Sequence, residues 1–377
     1  MLDSLHIKNF RCFEDLIIPS LGRVNLIVGK NNSGKSTFLD AIYMYAASGN
    51  ATIMHYILGS RNELPYIDTT IPPIQYYILN NEFTKEKEIF DSLRNIFNIN
   101  AIKKSNEKLI IKGCDNRRCQ TISLEYSTNK NDIENIQSSN AVQFSNSYVN
   151  ITEGFIISRH INDNLTDRNI ITPFSVVNDI KKITKQLPWL NACYKVVSTL
   201  EPENNWSTLW DNLKATRKTD AIISMIKITN PLIEDIYFTH NGLAMVVLAD
   251  EERARPLRSM GEGASRLLQL FIYAFHARDG FLLIDEFENG LHYSIQEEVW
   301  DKLFKLAKEL DIQVFATTHS EDAVKAFCKV SVADKEVNGK LISLGRSISK
   351  SDNGKIIADV YDEDTLNWLT TSGMEVR

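Results

Sequence analysis

The first residues of the chain alternate at a period of two. Leu5 and Ile7 stand against Ser4, His6 and Lys8, which predicts an edge strand over 2–8. Asn9 to Phe13 reads as a turn, and a second strand is expected near Leu16 to Ile18. After a loop from Pro19 to Arg23 the pattern becomes an unbroken apolar run, Val24 to Val28, as a strand buried on both faces requires. Helical spacing follows, with Phe38, Leu39, Ile42 and Tyr45 on one face. Gly, Pro and Thr clusters over 49–75 predict loops around short segments. Helical spacing returns over Glu86 to Asn98. Leu109 to Lys112 and Thr121 to Tyr126 then predict two strands joined by a polar, basic turn. Residues 127–150, rich in Asn and Ser, read as loops, and Ile151 to Ser158 as a strand.

Ser175 to Leu200 and Ser207 to Met225 read as helical. Their mainly basic charges (Lys181, Lys182, Lys185, Lys214, Arg217, Lys218) suit a solvated face or a surface for DNA or an acidic partner. Strands near Ile233 to Thr239 and Leu243 to Leu248 flank a His240-Asn241-Gly242 turn. A strongly apolar helix carrying Leu267, Leu268, Phe271, Ile272 and Phe275 leads to a buried strand, Phe281 to Ile284. The amphipathic helix Ile295 to Leu310 and another buried strand, Ile312 to Thr317, come next. Buried strands separated by helices predict an α/β fold with a mixed central sheet, a small antiparallel β layer and a helical lobe. The expected division is 1–165, a helical lobe over 166–230, and 231–377. No heptad pattern persists that would extend into a long coiled coil.

Composition narrows the setting. A chain of 377 residues can bury a large core. No apolar stretch reaches the roughly 18 residues of a membrane span, so no membrane partner is expected. The first residues, with Asp3, Lys8, Arg11 and Glu14, have no signal-peptide core. Five cysteines, odd in number and scattered, suit a reducing cytoplasm. Cys114 and Cys119 have no second pair at zinc-ligand spacing, so they are expected as free thiols in a loop. The net charge of -6 limits nucleic acid to a local basic groove.

The strongest chemistry lies between the first buried run and the first helix. Gly29-Lys30-Asn31-Asn32-Ser33-Gly34-Lys35-Ser36 is a phosphate-binding loop in its required strand–loop–helix context, with Thr37 continuing it. The glycines let successive N–H groups point at phosphate oxygens, and the helix N-terminus adds about half a positive charge. Lys35 is expected on the β- and γ-phosphates, and Ser36 on Mg²⁺. The strand 281–284 ends in Asp285 and Glu286, acids placed at the ligand crevice of a parallel sheet. Asp285 suits Mg²⁺, and Glu286 suits the activation of a water against the γ-phosphate. Thr317-Thr318-His319-Ser320 ends the next strand, where His319 could donate to the terminal phosphate. Arg11, at the first turn, is the residue of that layer most able to touch a nucleotide. Ser259-Met260-Gly261-Glu262-Gly263 is a second anion-binding device ahead of a helix. One nucleotide needs only one such device, so the second points to a site completed across a dimer.

Taken together, these pieces resemble the ABC-type ATPase domain of the OLD (overcoming lysogenization defect) family, close to the RecF and SMC-like ATPases. The matching segments are Lys8-Asn9-Phe10-Arg11, the loop 29–36, Ser259 to Gly263 before Ser265-Arg266-Leu267-Leu268, DEFENGLH at 285–292, and TTHS at 317–320. Residues 50–230 match only loosely. The resemblance implies a P-loop NTPase fold and a Mg²⁺-dependent ATPase that dimerises head to head, with ATP sandwiched between each loop and the opposing signature. It implies that Ser259, Gly261 and Gly263 act in trans, that Glu288 to His292 forms the D-loop region, and that His319 is the switch histidine. Glu262 stands where transporter signatures carry Gly, and no glutamine is assigned to a Q-loop.

OLD proteins usually continue into a Toprim nuclease, whereas 57 residues follow Ser320 here, too few for one. Asp362-Glu363-Asp364 reads as a cap on a short helix over Thr365 to Leu369. The implied role is a homodimer, or a higher oligomer of dimers, that regulates a separately encoded nuclease or toxin in anti-phage defence. A stand-alone DNA-binding repair ATPase is the rival, and a scaffold that binds ATP with negligible turnover is a third reading.

Overall fold

Leu5, Ile7 and Phe10 turn inward from strand β1 (Ser4–Phe10), and the chain reverses into β2 (Phe13–Ile18). Asn9 and Arg11 hold positive φ of 56° and 49°, the left-handed conformation of this tight reversal. Strand β3 (Val24–Val28), buried at every position, feeds the phosphate loop and helix α1 (Lys35–Ala46). This computed structural model describes residues 1–64, 83–98, 107–129, 153–172, 193–196, 204–334, 336–349 and 354–361, with positions 131, 133, 352 and 365. Helix α2 (Ala51–Gly59) lies within a stretch expected as loops; Met54, Ile57 and Leu58 are its buried face. Helix α3 (Phe83–Ser92) passes into a single 3-10 turn over Leu93–Ile96.

Strands β4 (Leu109–Cys114), β5 (Cys119–Ser127), β6 (Gly154–Ile161) and β7 (Asn164–Ile171) run antiparallel to one another. β4 also pairs with β1, Ser4 opposite Cys114. The antiparallel layer is therefore a six-stranded sheet ordered β2-β1-β4-β5-β6-β7, larger than the short hairpin visible in the sequence. Cys114 and Cys119 face each other across the β4–β5 hairpin and are disulfide-bonded, which corrects the expectation of free thiols. The hairpin register is the reason: it sets their Cα atoms 4.0 Å apart.

Strand β8 (Cys193–Val196) is followed by helices α4 (Asn204–Ala215) and α5 (Thr219–Ile226). Strands β9 (Ile233–Phe238), β10 (Ala244–Leu248) and β11 (Arg255–Pro256) form a three-stranded antiparallel sheet. Then come α6 (Glu262–His276), β12 (Phe281–Ile284), α7 (Tyr293–Glu309), β13 (Gln313–Thr317), α8 (Glu321–Ala333), β14 (Gly339–Arg346) and β15 (Ile356–Tyr361). The central sheet has the order β15-β14-β3-β13-β12-β8, parallel throughout except for β15. Residues 193–196 had been expected as helix. They are a strand because they pair with Phe281–Ile284, and sheet pairing outweighs local spacing. The rest of 175–200, and the acids 362–364, lie outside the described residues.

Alternation along the central strands sorts the core onto two faces. Leu26, Leu282, Ile284, Val314 and Ala316 pack with α6, α7 and α8; Ile27, Leu283 and Phe315 pack with α1 and the antiparallel sheet. On the first face Trp300 is fully buried, stacks on Phe287 at 3.9 Å between ring centroids, and donates from Nε1 to the Ala323 carbonyl at 3.2 Å. Phe287 follows Glu286, so this aromatic stack seats the acidic loop. Trp300→Ala is expected to cost about 3–5 kcal/mol of folding stability, read as a lowered denaturant midpoint.

Candidate active site

Two backbone positions decide the shape of the phosphate loop. Gly29 has φ 147°, and a Cβ there would come within 2.3 Å of the Leu344 carbonyl oxygen and 2.6 Å of Ser33 Oγ. Gly34 has φ 93°, and its Cβ would meet Cys12 Sγ at 2.8 Å. Only glycine fits such close packing in left-handed conformations. Asn32 also carries a positive φ, 63°, so the loop curls around its own N–H groups. Lys35, only 6% exposed, donates from Nζ to the carbonyls of Gly29 at 2.8 Å and Lys30 at 3.1 Å. Burial lowers its pKa, and Asp285, Glu288 and Glu286 oppose that shift.

The acidic strand end meets this loop directly. Ser36 Oγ donates to Asp285 Oδ1 at 3.0 Å, and Thr317 Oγ1 donates to the same oxygen at 2.7 Å. The Asp285 N–H donates to the Val196 carbonyl at 2.8 Å, so the edge strand β8 anchors the acid from its other side. Glu286 sits at φ 52°; its N–H donates to Thr317 Oγ1 at 2.9 Å, and Asn289 Nδ2 donates to its Oε2 at 2.7 Å. The Arg266 guanidinium, buried in α6, donates to the Asp285 carbonyl at 2.8 Å. Behind α1, Asp40 is 1% exposed and pairs with both Lys195 of β8 and Arg61. Those ion pairs tie the loop's helix to the sheet edge.

A cleft of about 420 Å³ opens between Gly29, Lys30 and Asn31 on one side and Thr318, His319 and Ser320 on the other. The loop residues, Asp285, Glu286 and His319 thus gather at the carboxyl ends of β3, β12 and β13, as the parallel sheet predicted. Ser259, Gly261 and Gly263 do not line this cleft. Ser259, Gly261 and Glu262 are exposed at the start of α6. A Cβ on Gly261 would meet nothing within 4 Å, whereas one on Gly263 would come within 2.5 Å of the Gly290 carbonyl. The Arg11 guanidinium is engaged by the Glu63 carboxylate through two bonds, at 2.8 and 3.0 Å.

Several residues of this arrangement were visible only as letters in a motif. Thr317 and Thr318 precede His319, Glu288 and Asn289 sit inside DEFENGLH, and Arg266 follows the signature. Their tasks depend on bonds between distant parts of the chain. Asp40 and Lys195 had no sequence signal at all. Among the described residues, no helix is long and apolar enough to cross a membrane.

The profile of the AAA ATPase domain matches residues 1–324. An ATP/GTP phosphatase of Helicobacter pylori (strain ATCC 700392 / 26695) is 25% identical over a 401-residue alignment that covers 98% of this chain and 97% of that protein. An OLD nuclease of Thermus scotoductus (strain ATCC 700910 / SA-01) is 55% identical over 42 residues, 11% of this chain and 8% of the nuclease. Among solved structures, an SMC head bound to the C-terminal winged-helix domain of ScpA aligns over 96% of this chain and 98% of that one, with a TM-score of 0.48 and 13% identity.

Proposed function

The chain belongs to the AAA ATPase domain family, and on that premise we propose that it hydrolyses ATP with Mg²⁺ at a site completed across a homodimer. In this reading the cycle regulates a separately encoded effector, a nuclease or toxin, in the bacterial cytoplasm as part of anti-phage defence. The observation that carries the chemistry is the approach of Ser36 Oγ to Asp285 Oδ1 at 3.0 Å. A hydroxyl and a carboxylate from opposite walls of one crevice are the hard oxygen donors that a small divalent cation prefers. These two residues would hold Mg²⁺, which when bound neutralises phosphate charge. The loop N–H groups and Lys35 bind the phosphates, and Glu286, oriented by Asn289, takes the proton of the attacking water. His319, at the far wall of the cleft, donates to the terminal phosphate. Omission of Mg²⁺ is expected to reduce turnover to background, and GTP, named in the Helicobacter relative, is the competing substrate to assay.

The dimer is supported by the exposure of Ser259, Gly261 and Glu262 away from the cleft their own chain forms. Complementation tests it. Lys35→Ala lacks a working loop and Gly261→Asp a working signature, so each alone is expected to be inactive. Mixed together, they form heterodimers with one intact site, and partial hydrolysis returns. A mixture as inactive as its components would rule out the shared site. The effector reading draws on the OLD resemblance and the short, close match to an OLD nuclease. Co-purification with a neighbouring gene product, toxic only alongside this chain, is its expected result. Turnover stimulated by DNA without any partner would favour the repair-type reading instead.

A further inference from the structure

Glu288 is a third acid in the loop between β12 and α7, beyond the two that hydrolysis needs. Both of its carboxylate oxygens are turned toward the segment after β13. Oε2 accepts from Thr318 Oγ1 at 2.6 Å, and Oε1 accepts from the His319 backbone N–H at 2.8 Å. Thr318 is 1% exposed and Glu288 is half-buried, so these charge-assisted bonds are shielded from water on at least one side. Thr318 Oγ1 in turn accepts from the Ser320 N–H at 3.0 Å. One carboxylate therefore fixes the backbone of 318–320, the stretch that faces Gly29, Lys30 and Asn31 across the cleft. Two residues on, Gly290 carries the carbonyl that abuts Gly263 at the start of α6. The same short loop thus touches the acids, the signature helix and the histidine segment.

We propose that Glu288 is the positioning residue of the His319 loop, setting where the imidazole stands by accepting from both Thr318 and the His319 backbone. It touches no substrate itself. The chemistry requires a carboxylate, because a glutamine offers one acceptor oxygen and would set its NH₂ group against one of the two donors. An aspartate keeps both acceptors but is a methylene too short to reach. The inference rests on the ATPase reading, and nucleotide binding and turnover are measured separately so that the two can be told apart.

The test uses the full chain with ATP and Mg²⁺, and a fluorescent ATP analogue as the binding probe. Glu288→Gln is expected to lower kcat about ten- to hundredfold, with affinity for the analogue within about threefold of wild type because the phosphate loop is untouched. Thr318→Val is expected to reproduce the loss, and Thr318→Ser, which keeps the donor, to regain most of it. The double variant Glu288→Gln/Thr318→Val should be no slower than either single one, since both break one linkage. Wild-type kcat in Glu288→Gln and Thr318→Val would overturn the inference alone. So would equal impairment of Thr318→Ser and Thr318→Val, or affinity falling in step with kcat. A wild-type chain that does not turn over ATP would instead overturn the ATPase reading beneath it.

Discussion

Lys35→Ala is expected to weaken ATP binding by at least about a hundredfold and to bring hydrolysis to background. The estimate follows from the loss of bonds to charged oxygens, each worth about 1.5–3 kcal/mol, where about 1.4 kcal/mol is a factor of ten. No other lysine or arginine can substitute for it. Lys30 is exposed beside the loop, Arg11 is held by Glu63, and Arg61 is held by Asp40. The variant should still fold. Lys35 Nζ bonds only to the carbonyls of Gly29 and Lys30 in its own loop, so its removal costs on the order of 1–2 kcal/mol of stability. Titration calorimetry with ATP, beside a thermal melt, separates the two effects. Wild-type affinity in the variant would remove the phosphate-binding role of this loop. Burial also lowers the pKa of Lys35, so ATP affinity is expected to decline at a lower pH than the titration of a free lysine. Its charged form, which binds phosphate, is the one lost as pH rises.

Glu286→Gln is expected to cut the hydrolytic step by about 10²–10⁴ while ATP remains bound. Glutamine keeps the size of the side chain and an oxygen that can accept from Asn289 Nδ2, so the loop geometry is retained. It lacks the basicity to take the proton of a water. The neighbouring Asp285 cannot take over, because its Oδ1 already accepts from Ser36 and Thr317. Under the dimer reading the variant should accumulate as an ATP-bound dimer, measured as a doubled solution mass only when ATP is present. Single-turnover hydrolysis at the wild-type rate would show that a different group acts as the base.

The parts legible in the sequence share a physical origin. β3, β12 and β13 are buried on both faces, so each leaves an unbroken apolar run, and the loop after β3 needs glycines at conformations other residues avoid. α1, α6 and α7 each bury one face, so their spacing is audible at a period of three to four. Those signals are local, and they located the phosphate loop, Asp285, Glu286 and His319 before any coordinates. β14 and β15 carried no such signal: β15 buries only Ile356, and its other positions face out or sit half-exposed. β8 is four residues long at a sheet edge, and its Lys195 reads as a surface charge until Asp40 is placed beside it.

What the chain alone determined, then, was the chemistry of each half of the crevice, because strand burial, loop curvature and helix spacing are set by neighbours a few residues apart. Only the tertiary structure decided how the halves meet. Ser36 reaches Asp285 across 249 positions of sequence, Glu288 reaches His319 across 31, and Arg11 turns to Glu63 across 52. Bonds of that range depend on sheet order and register, which burying a core in three dimensions selects and which no local pattern of residues encodes.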